Sequence, residues 1–174
     1  MPRTWLYSDP HFFHRKIVEF TNYDGSRVRP EWDDHVKMTE DLIEMYNTEV
    51  DDQDRVYILG DVAFTRRSLK NSLPRLKGRK VLVKGNHDQD KLSYYAQYFD
   101  DVRAYVVKKG FIMSHIPIHP ESLSRWKLNI HGHLHCNKVM DGDRPDPRYR
   151  NVCVEQTNFR PILLDEVLHE AGLK

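Results

Sequence analysis

No apolar run in this 174-residue chain approaches 18 residues, so nothing in it reads as a membrane span. An excess of one charge is also missing. The 27 basic and 26 acidic residues leave a net charge of +1, without the basic footprint that binding to long nucleic acid requires. A small nucleotide or a short oligonucleotide stays compatible with that balance. The opening Met1-Pro2-Arg3-Thr4 has no apolar stretch of the secretion-signal kind, so a cytoplasmic location is expected. Only two cysteines occur, Cys136 and Cys153, far apart and in no CxxC, and reduced thiols are expected in preference to a disulfide. Repeats, low-complexity tracts and linkers are absent. The length fits one domain, 1–174, and leaves no room for a second catalytic or capping domain.

What the chain does have is histidine. Seven of its 10 histidines fall in or beside five short polar segments. These are Asp9-Pro10-His11, Gly60-Asp61, Gly85-Asn86-His87-Asp88, Ser114-His115 and Gly132-His133-Leu134-His135. Four of the five directly follow an apolar run. Strands are predicted at Thr4–Ser8, Arg55–Leu59, Lys80–Lys84, Leu128–Ile130, Asn151–Val154 and Pro161–Leu164, with a hairpin joining Val102–Val107 to Phe111–Met113. Pro30–Asn47 reads as a helix, with Trp32, Val36, Leu42, Ile43 and Tyr46 near one face and Pro30 suited to its start. Arg66–Leu73 and Asp165–Ala171 also read as helices, and Lys91–Phe99 has helical spacing. Asp51–Asp54 reads as a surface turn and Asp141–Arg150 as a loop. Strand and helix alternate early and strands dominate later, which predicts an α/β fold with mixed sheets.

The five segments contain only oxygen and imidazole donors. Asp9, Asp61, Asn86, His11, His115, His133 and His135 make a ligand set for two divalent cations side by side, a common device for cleaving phosphate esters. Residues two apart on a strand point the same way, so Asp9 and His11 can converge on one metal, and His133 and His135, in the same relation, can each serve a different metal of a pair. Asp61 has two oxygens, suitable for bridging both ions. Asn86 contributes an oxygen without adding negative charge to a site that must accept a phosphate. Gly60 and Gly132 permit close backbone approach. His87, next to Asn86, need not bind metal, and a protonated imidazole there can give its proton to a leaving alkoxide. Asp88 is expected to hold that imidazole and favour its charged form. Singly these segments are turns, caps or a core histidine. In one order, each beside a strand, they point to one site.

This ordered set resembles the calcineurin-like metallophosphoesterase superfamily, whose pattern is Asp-x-His, Gly-Asp, Gly-Asn-His-Asp/Glu, a single His, then Gly-His-x-His. The match spans residues 9 to 135. The resemblance implies a four-layer α/β/β/α sandwich of two mixed β-sheets flanked by helices. It implies that Asp9, His11, Asp61 and His135 hold one metal, and that Asp61 bridges to a second held by Asn86, His115 and His133. A metal-activated hydroxide would attack phosphorus in line, with His87 assisting the leaving group. The chain looks closest to small, cap-less bacterial and viral members. Their Asp-x-His-Phe-Gly-His opening is similar to Asp9–His14 here, with Phe13 in place of the glycine. That change leaves His14 open between substrate contact and packing. His119 and His131 have no place in the pattern and are expected to be supporting or core residues.

Thr65–Lys80 holds seven basic residues and no acidic one. Of these, Arg66 and Arg67 are the candidates to grip a phosphate, the alternative being a solvated helix face. Arg144, Arg148 and Arg150 are further candidates for the cleft. Tyr23, Phe64 and Trp126 are candidates to stack on a base, with packing as the default. The expected activity is metal-dependent hydrolysis of a phosphodiester or nucleotide of modest size. Manganese is the favoured metal, with Fe, Zn, Ni and Co as alternatives. A phosphomonoesterase or protein phosphatase is the rival activity, and a non-catalytic scaffold on the same fold is the rival class.

Overall fold

A computed structural model describes residues 1–174. Strands β1 (Thr4–Tyr7), β2 (Arg55–Ile58), β3 (Arg79–Val83) and β4 (Asp101–Arg103) are mutually parallel. A second group contains β5 (Tyr105–Lys108), β6 (Phe111–Ser114), β7 (Leu128–His131) and β10 (Tyr149–Asn151). Between β7 and β10 lies a two-stranded hairpin of β8 (Met140–Asp141) and β9 (Arg144–Pro145). The last strand, β11 (Ile162–Leu163), adds antiparallel to β1, giving a five-stranded sheet ordered β11-β1-β2-β3-β4. The other sheet is ordered β10-β7-β6-β5, with only β5 antiparallel. Both sheets are therefore mixed. Helices α1 (His35–Glu49), α2 (Arg66–Ser72), α3 (Leu92–Tyr95) and α4 (Leu164–Glu170) flank them.

Strand alternation builds the layers. Trp5, Tyr7, Val56, Ile58 and Leu82 join one apolar cluster with α1 and α2. Their neighbours Leu6, Tyr57, Leu59, Val81 and Val83 join a second cluster with Phe111, Met113, Leu128 and Ile130 of the other sheet. Each of the fully buried side chains contributes roughly 1.5–3 kcal/mol relative to exposure.

Several predicted elements shift. Helix α1 begins at His35, because the Asp34 carboxylate caps it by accepting the Lys37 N–H at 2.8 Å. Pro30 lies outside it. The buried face is Met38, Thr39, Leu42, Ile43 and Tyr46, and Val36 turns outward at 44% exposure. The Val102–Val107 run is two strands in two sheets, crossing at Ala104, so only its second half makes the hairpin with β6. The Lys91–Phe99 helix contracts to the single turn α3. Asn151–Val154 gives the end of β10 followed by a 3-10 turn, and the predicted 141–150 loop contains β9 and most of β10. Asp54 is not on the surface. It is buried, accepting the Arg3 N–H at 2.7 Å and the Trp5 indole N–H at 2.8 Å.

Candidate metal centre

The motif segments begin where β1, β2, β3, β6 and β7 end, on the side where parallel strands present their carboxyl ends. They converge by another route than strand alternation. Asp9 (φ 57°), His11 (φ 50°), Asp61 (φ 51°), His133 (φ 70°) and His135 (φ 49°) all adopt the left-handed backbone region. The i, i+2 relation survives, but through alternate left-handed residues beyond the strand ends. Such conformations cost of order 1–3 kcal/mol each and persist only where the surroundings fix them. Here the first two loops are laced together, Asp9 N to Gly60 O at 3.1 Å, His11 N to Asp61 O at 3.2 Å and Phe12 N to Val62 O at 2.9 Å. Phe12, fully buried, anchors the turn in the core. Two glycines admit the close approach: a Cβ on Gly132 would overlap Ser8 Oγ and Asp9 Oδ2, and one on Gly85 would overlap Asp61 Oδ1.

Two donor groups result, Asp9–His11–His135 and Asp61–His115–His133, the ligand atoms within each lying within 4.8 Å of one another. Asp61 stands between them, its Oδ2 at 3.4 Å from His115 Nε2 and 3.8 Å from His11 Nε2. Asn86 Oδ1 lies 2.8 Å from His115 Nε2. Asp9 Oδ1 and both His11 ring nitrogens are buried without a hydrogen-bond partner. Asp9 Oδ2, in contrast, accepts from Ser8 Oγ at 2.6 Å, His133 N at 2.9 Å and Cys153 Sγ at 3.2 Å. Buried polar atoms left unpaired are costly, and Asp9 Oδ1 and one nitrogen of the neutral His11 ring are lone-pair donors of the kind that divalent cations take. The residues fit a pair of such ions.

The imidazoles are oriented from behind. His115 Nδ1 faces Leu59 O at 2.7 Å and His135 Nδ1 faces Glu155 Oε1 at 2.9 Å, which turns each Nε2 inward. Glu155 is held by Arg29 at 2.8 Å, with side-chain exposures of 2% and 0%. Arg29 also donates to Asp9 O at 2.7 Å and Pro10 O at 2.9 Å. One buried cation thus fixes the first loop and the last ligand together. Burial alone would raise the Glu155 carboxyl, but Arg29 and His135 hold it down at about 2. Burial, with Arg29 and His135 nearby, lowers His11 well below the ordinary imidazole range. For His115 burial works downward, and Asp61 and Asp9 overcome it, to about 9. Arg29, Glu155, Ser8 and Cys153 are supports that the motifs do not mark. Nothing in their spacing announces them, since Arg29 and Glu155 lie 126 residues apart.

Asp88 does not hold His87. Its carboxylate is fully buried and accepts from the backbone N–H groups of Asp61 (2.9 Å), Val62 (3.1 Å) and Gly85 (2.9 Å), tying two motif loops together. His87 sits at the rim, with Nε2 4.0 Å from Asp61 Oδ2. Phe64 packs against three imidazoles, with ring centroids 4.5 Å from His87, 4.3 Å from His14 and 5.4 Å from His11. His14 is thereby brought to the site. Arg66 is engaged by Asp90 at 2.8 Å and stacks on Tyr94, while Arg67 is exposed. Arg148 and Arg150 pair with Asp146 and Glu170. His119 caps the Pro120–Arg125 turn, and His131 is fully buried beneath the site, where burial lowers it to about 4. A cavity of about 550 Å³ adjoins His133 and His135, and one of about 390 Å³ adjoins Asn86 and His115. A larger groove of about 680 Å³ opens around Arg55, Arg79 and Arg103, at the other ends of β2 and β3 and away from the metal centre.

Two mixed sheets with paired oxygen–imidazole groups on their strand-end loops define an α/β sandwich that carries a candidate site for two metal ions. The calcineurin-like phosphoesterase family matches residues 2–170, and the chain belongs to that family. Membership implies hydrolysis of phosphate esters. An uncharacterized protein of Methanocaldococcus jannaschii is 31% identical, over 97% of this chain and 90% of its own length. The Gene 66 protein of Mycobacterium phage D29 is 26% identical, over 87% of each chain. The crystal structure of a protein of unknown function from Aquifex aeolicus shares the fold, with a TM-score of 0.71 at 24% identity, covering 96% of this chain and 98% of that one.

Proposed function

We propose that the chain is a phosphodiesterase for nucleotide-sized substrates. The observation that carries this reading is the pair of cavities abutting the donor set, one at His133 and His135 and the other at Asn86 and His115. A diester has two organic arms to seat, and a monoester has one. In this reading Asp9, His11, Asp61 and His135 would hold one divalent ion, and Asp61, Asn86, His115 and His133 would hold the second. Manganese suits the oxygen-rich part of this set, with Fe, Zn, Ni and Co next in order of trial. When bound, the two ions activate a water for attack on phosphorus and offset charge on the phosphate.

The chain's own residues supply the rest. His87 donates the proton to the leaving alkoxide. Its backbone N–H bonds Asp61 Oδ1 at 2.8 Å and its ring rests on Phe64, which supports a fixed general acid at the rim. Asp88 acts through the backbone, holding the Gly85–Asp88 loop against Asp61. Arg67, with no carboxylate partner, is the freer guanidinium to meet a phosphate oxygen, Arg66 being held by Asp90. His14 meets substrate beside Phe64. Both thiols are free, which supports a reducing, cytoplasmic setting. The two core clusters share β1, β2 and β3, which supports one domain over 1–174.

The test is hydrolysis of an alkyl aryl diester, a dialkyl diester and an aryl monoester with and without Mn²⁺. Activity on diesters in preference to the monoester is expected, and the reverse preference would favour the phosphomonoesterase. His87→Ala should keep its metal and lose roughly 10²–10⁴-fold on an alkoxide leaving group. The loss should be far smaller with p-nitrophenolate. Equal losses on both leaving groups, or loss of metal, would exclude His87 as the acid.

A further inference from the structure

We infer that the cavity at His133 and His135 is the seat of a nucleoside arm, walled by a hairpin at residues 20–28; this rests on the phosphodiesterase reading above. The hairpin is built as a firm wall. Val28 N bonds Phe20 O at 2.8 Å and Asn22 N bonds Ser26 O at 2.7 Å, with a bridge between Thr21 and Arg27 and a left-handed Gly25 (φ 84°) at the turn. Arg27 pins its base by donating twice to Val18 O, at 3.1 and 3.0 Å.

The cavity's chemistry selects its occupant. No lysine, arginine, aspartate or glutamate lines it, so neither a second phosphate nor an acidic peptide finds a counter-charge there. Its apolar surface comes from Phe20, Val28 and Leu134, with Tyr23 at the rim, while Thr21 and Asn137 offer hydrogen-bonding groups. A flat, neutral ring with a polar edge matches that lining, and about 550 Å³ lies within the usual range of roughly 300–1,000 Å³ for a small-molecule site. Tyr23 and Phe20 are exposed by 101% and 45%, rings available to stack on a base. The wall is also continuous with the site. Phe20 packs on His14 at 5.7 Å, His14 on Phe64 at 4.3 Å and Phe64 on His87 at 4.5 Å. A nucleoside against Phe20 therefore leaves its phosphate over the donor set.

The experiment compares thymidine 5′-(p-nitrophenyl) phosphate with methyl p-nitrophenyl phosphate on the Mn²⁺-loaded full chain. The leaving group is the same and only the other arm differs. Wild type should prefer the thymidine ester, and Tyr23→Ala and Phe20→Ala should each cut the kcat/KM ratio of the two esters about five-fold or more. No preference in wild type, or a ratio unchanged in both variants, overturns the assignment. Thymidine titrated into metal-free protein and followed by NMR gives a second readout. Shifts at Phe20 and Tyr23 support the seat, and their absence at millimolar thymidine overturns it. Should wild type hydrolyse neither diester yet cleave p-nitrophenyl phosphate, the phosphodiesterase reading fails, and thymidine binding still decides the cavity.

Discussion

At the scale of single residues, the ligands are easier to find than their supports. His135 was marked by its motif, whereas the Glu155 carboxylate that orients it and the Arg29 guanidinium behind both carry no motif. Arg29 and Glu155 are a buried pair, and removing one charge leaves the other without compensation. Glu155→Gln should therefore cost about 3–5 kcal/mol of folding stability, read from urea unfolding of the metal-free protein. It should also weaken metal binding by roughly 10–100-fold, because His135 loses the anion that fixes its ring. A variant with wild-type unfolding and wild-type metal affinity would remove this pair from the design of the site. Asp88 carries a related lesson. Adjacency in sequence suggested a partner for His87, but its carboxylate satisfies three backbone N–H groups, which binds it to loop geometry.

At the scale of elements, strand-end loops do what the strands were expected to do. Alternation in a strand predicted that Asp9 and His11 share one donor group, and that His133 and His135 point the same way yet serve different ones. That placement is reached instead through left-handed residues beyond the strand ends, whose cost is offset by the hydrogen bonds between loops. No single sequence position announces a left-handed Asp or His. Gly132 is a more direct signal, since any side chain there collides with Ser8 and Asp9. Gly132→Ala should destabilise the protein by about 1–3 kcal/mol and weaken metal binding, seen by calorimetric titration with Mn²⁺. Unchanged metal affinity in that variant would mean the first loop relaxes freely. The Val102–Val107 run shows the complementary limit. A β-branched stretch predicts extended chain, but the partner of each residue is a tertiary matter, and here it changes at Ala104.

At the scale of the whole molecule, the donor groups gather residues from Asp9 to His135 across both sheets, so they exist only in the folded chain. Metal should then bind the native state and not the unfolded one, and stabilise by mass action. Chelator-treated protein should gain about 5–10 °C in Tm for each ion bound when free Mn²⁺ stands about 100-fold above the Kd of that site. The gain should be much reduced in Asp61→Asn. An equal gain in that variant would show that the stabilising ions sit elsewhere.

The sequence by itself determined the donor types, their order and their attachment to apolar strands, because these are local properties of composition and spacing. It also determined the α/β class with mixed sheets, through the shift from strand–helix alternation to successive strands. The tertiary structure decided how the donors meet, which carboxylate serves which partner, and what walls the cavity beside them. Those depend on hydrogen bonds and burial between segments as far apart as Arg29 and Glu155, and spacing along a chain carries no record of which distant segments will touch.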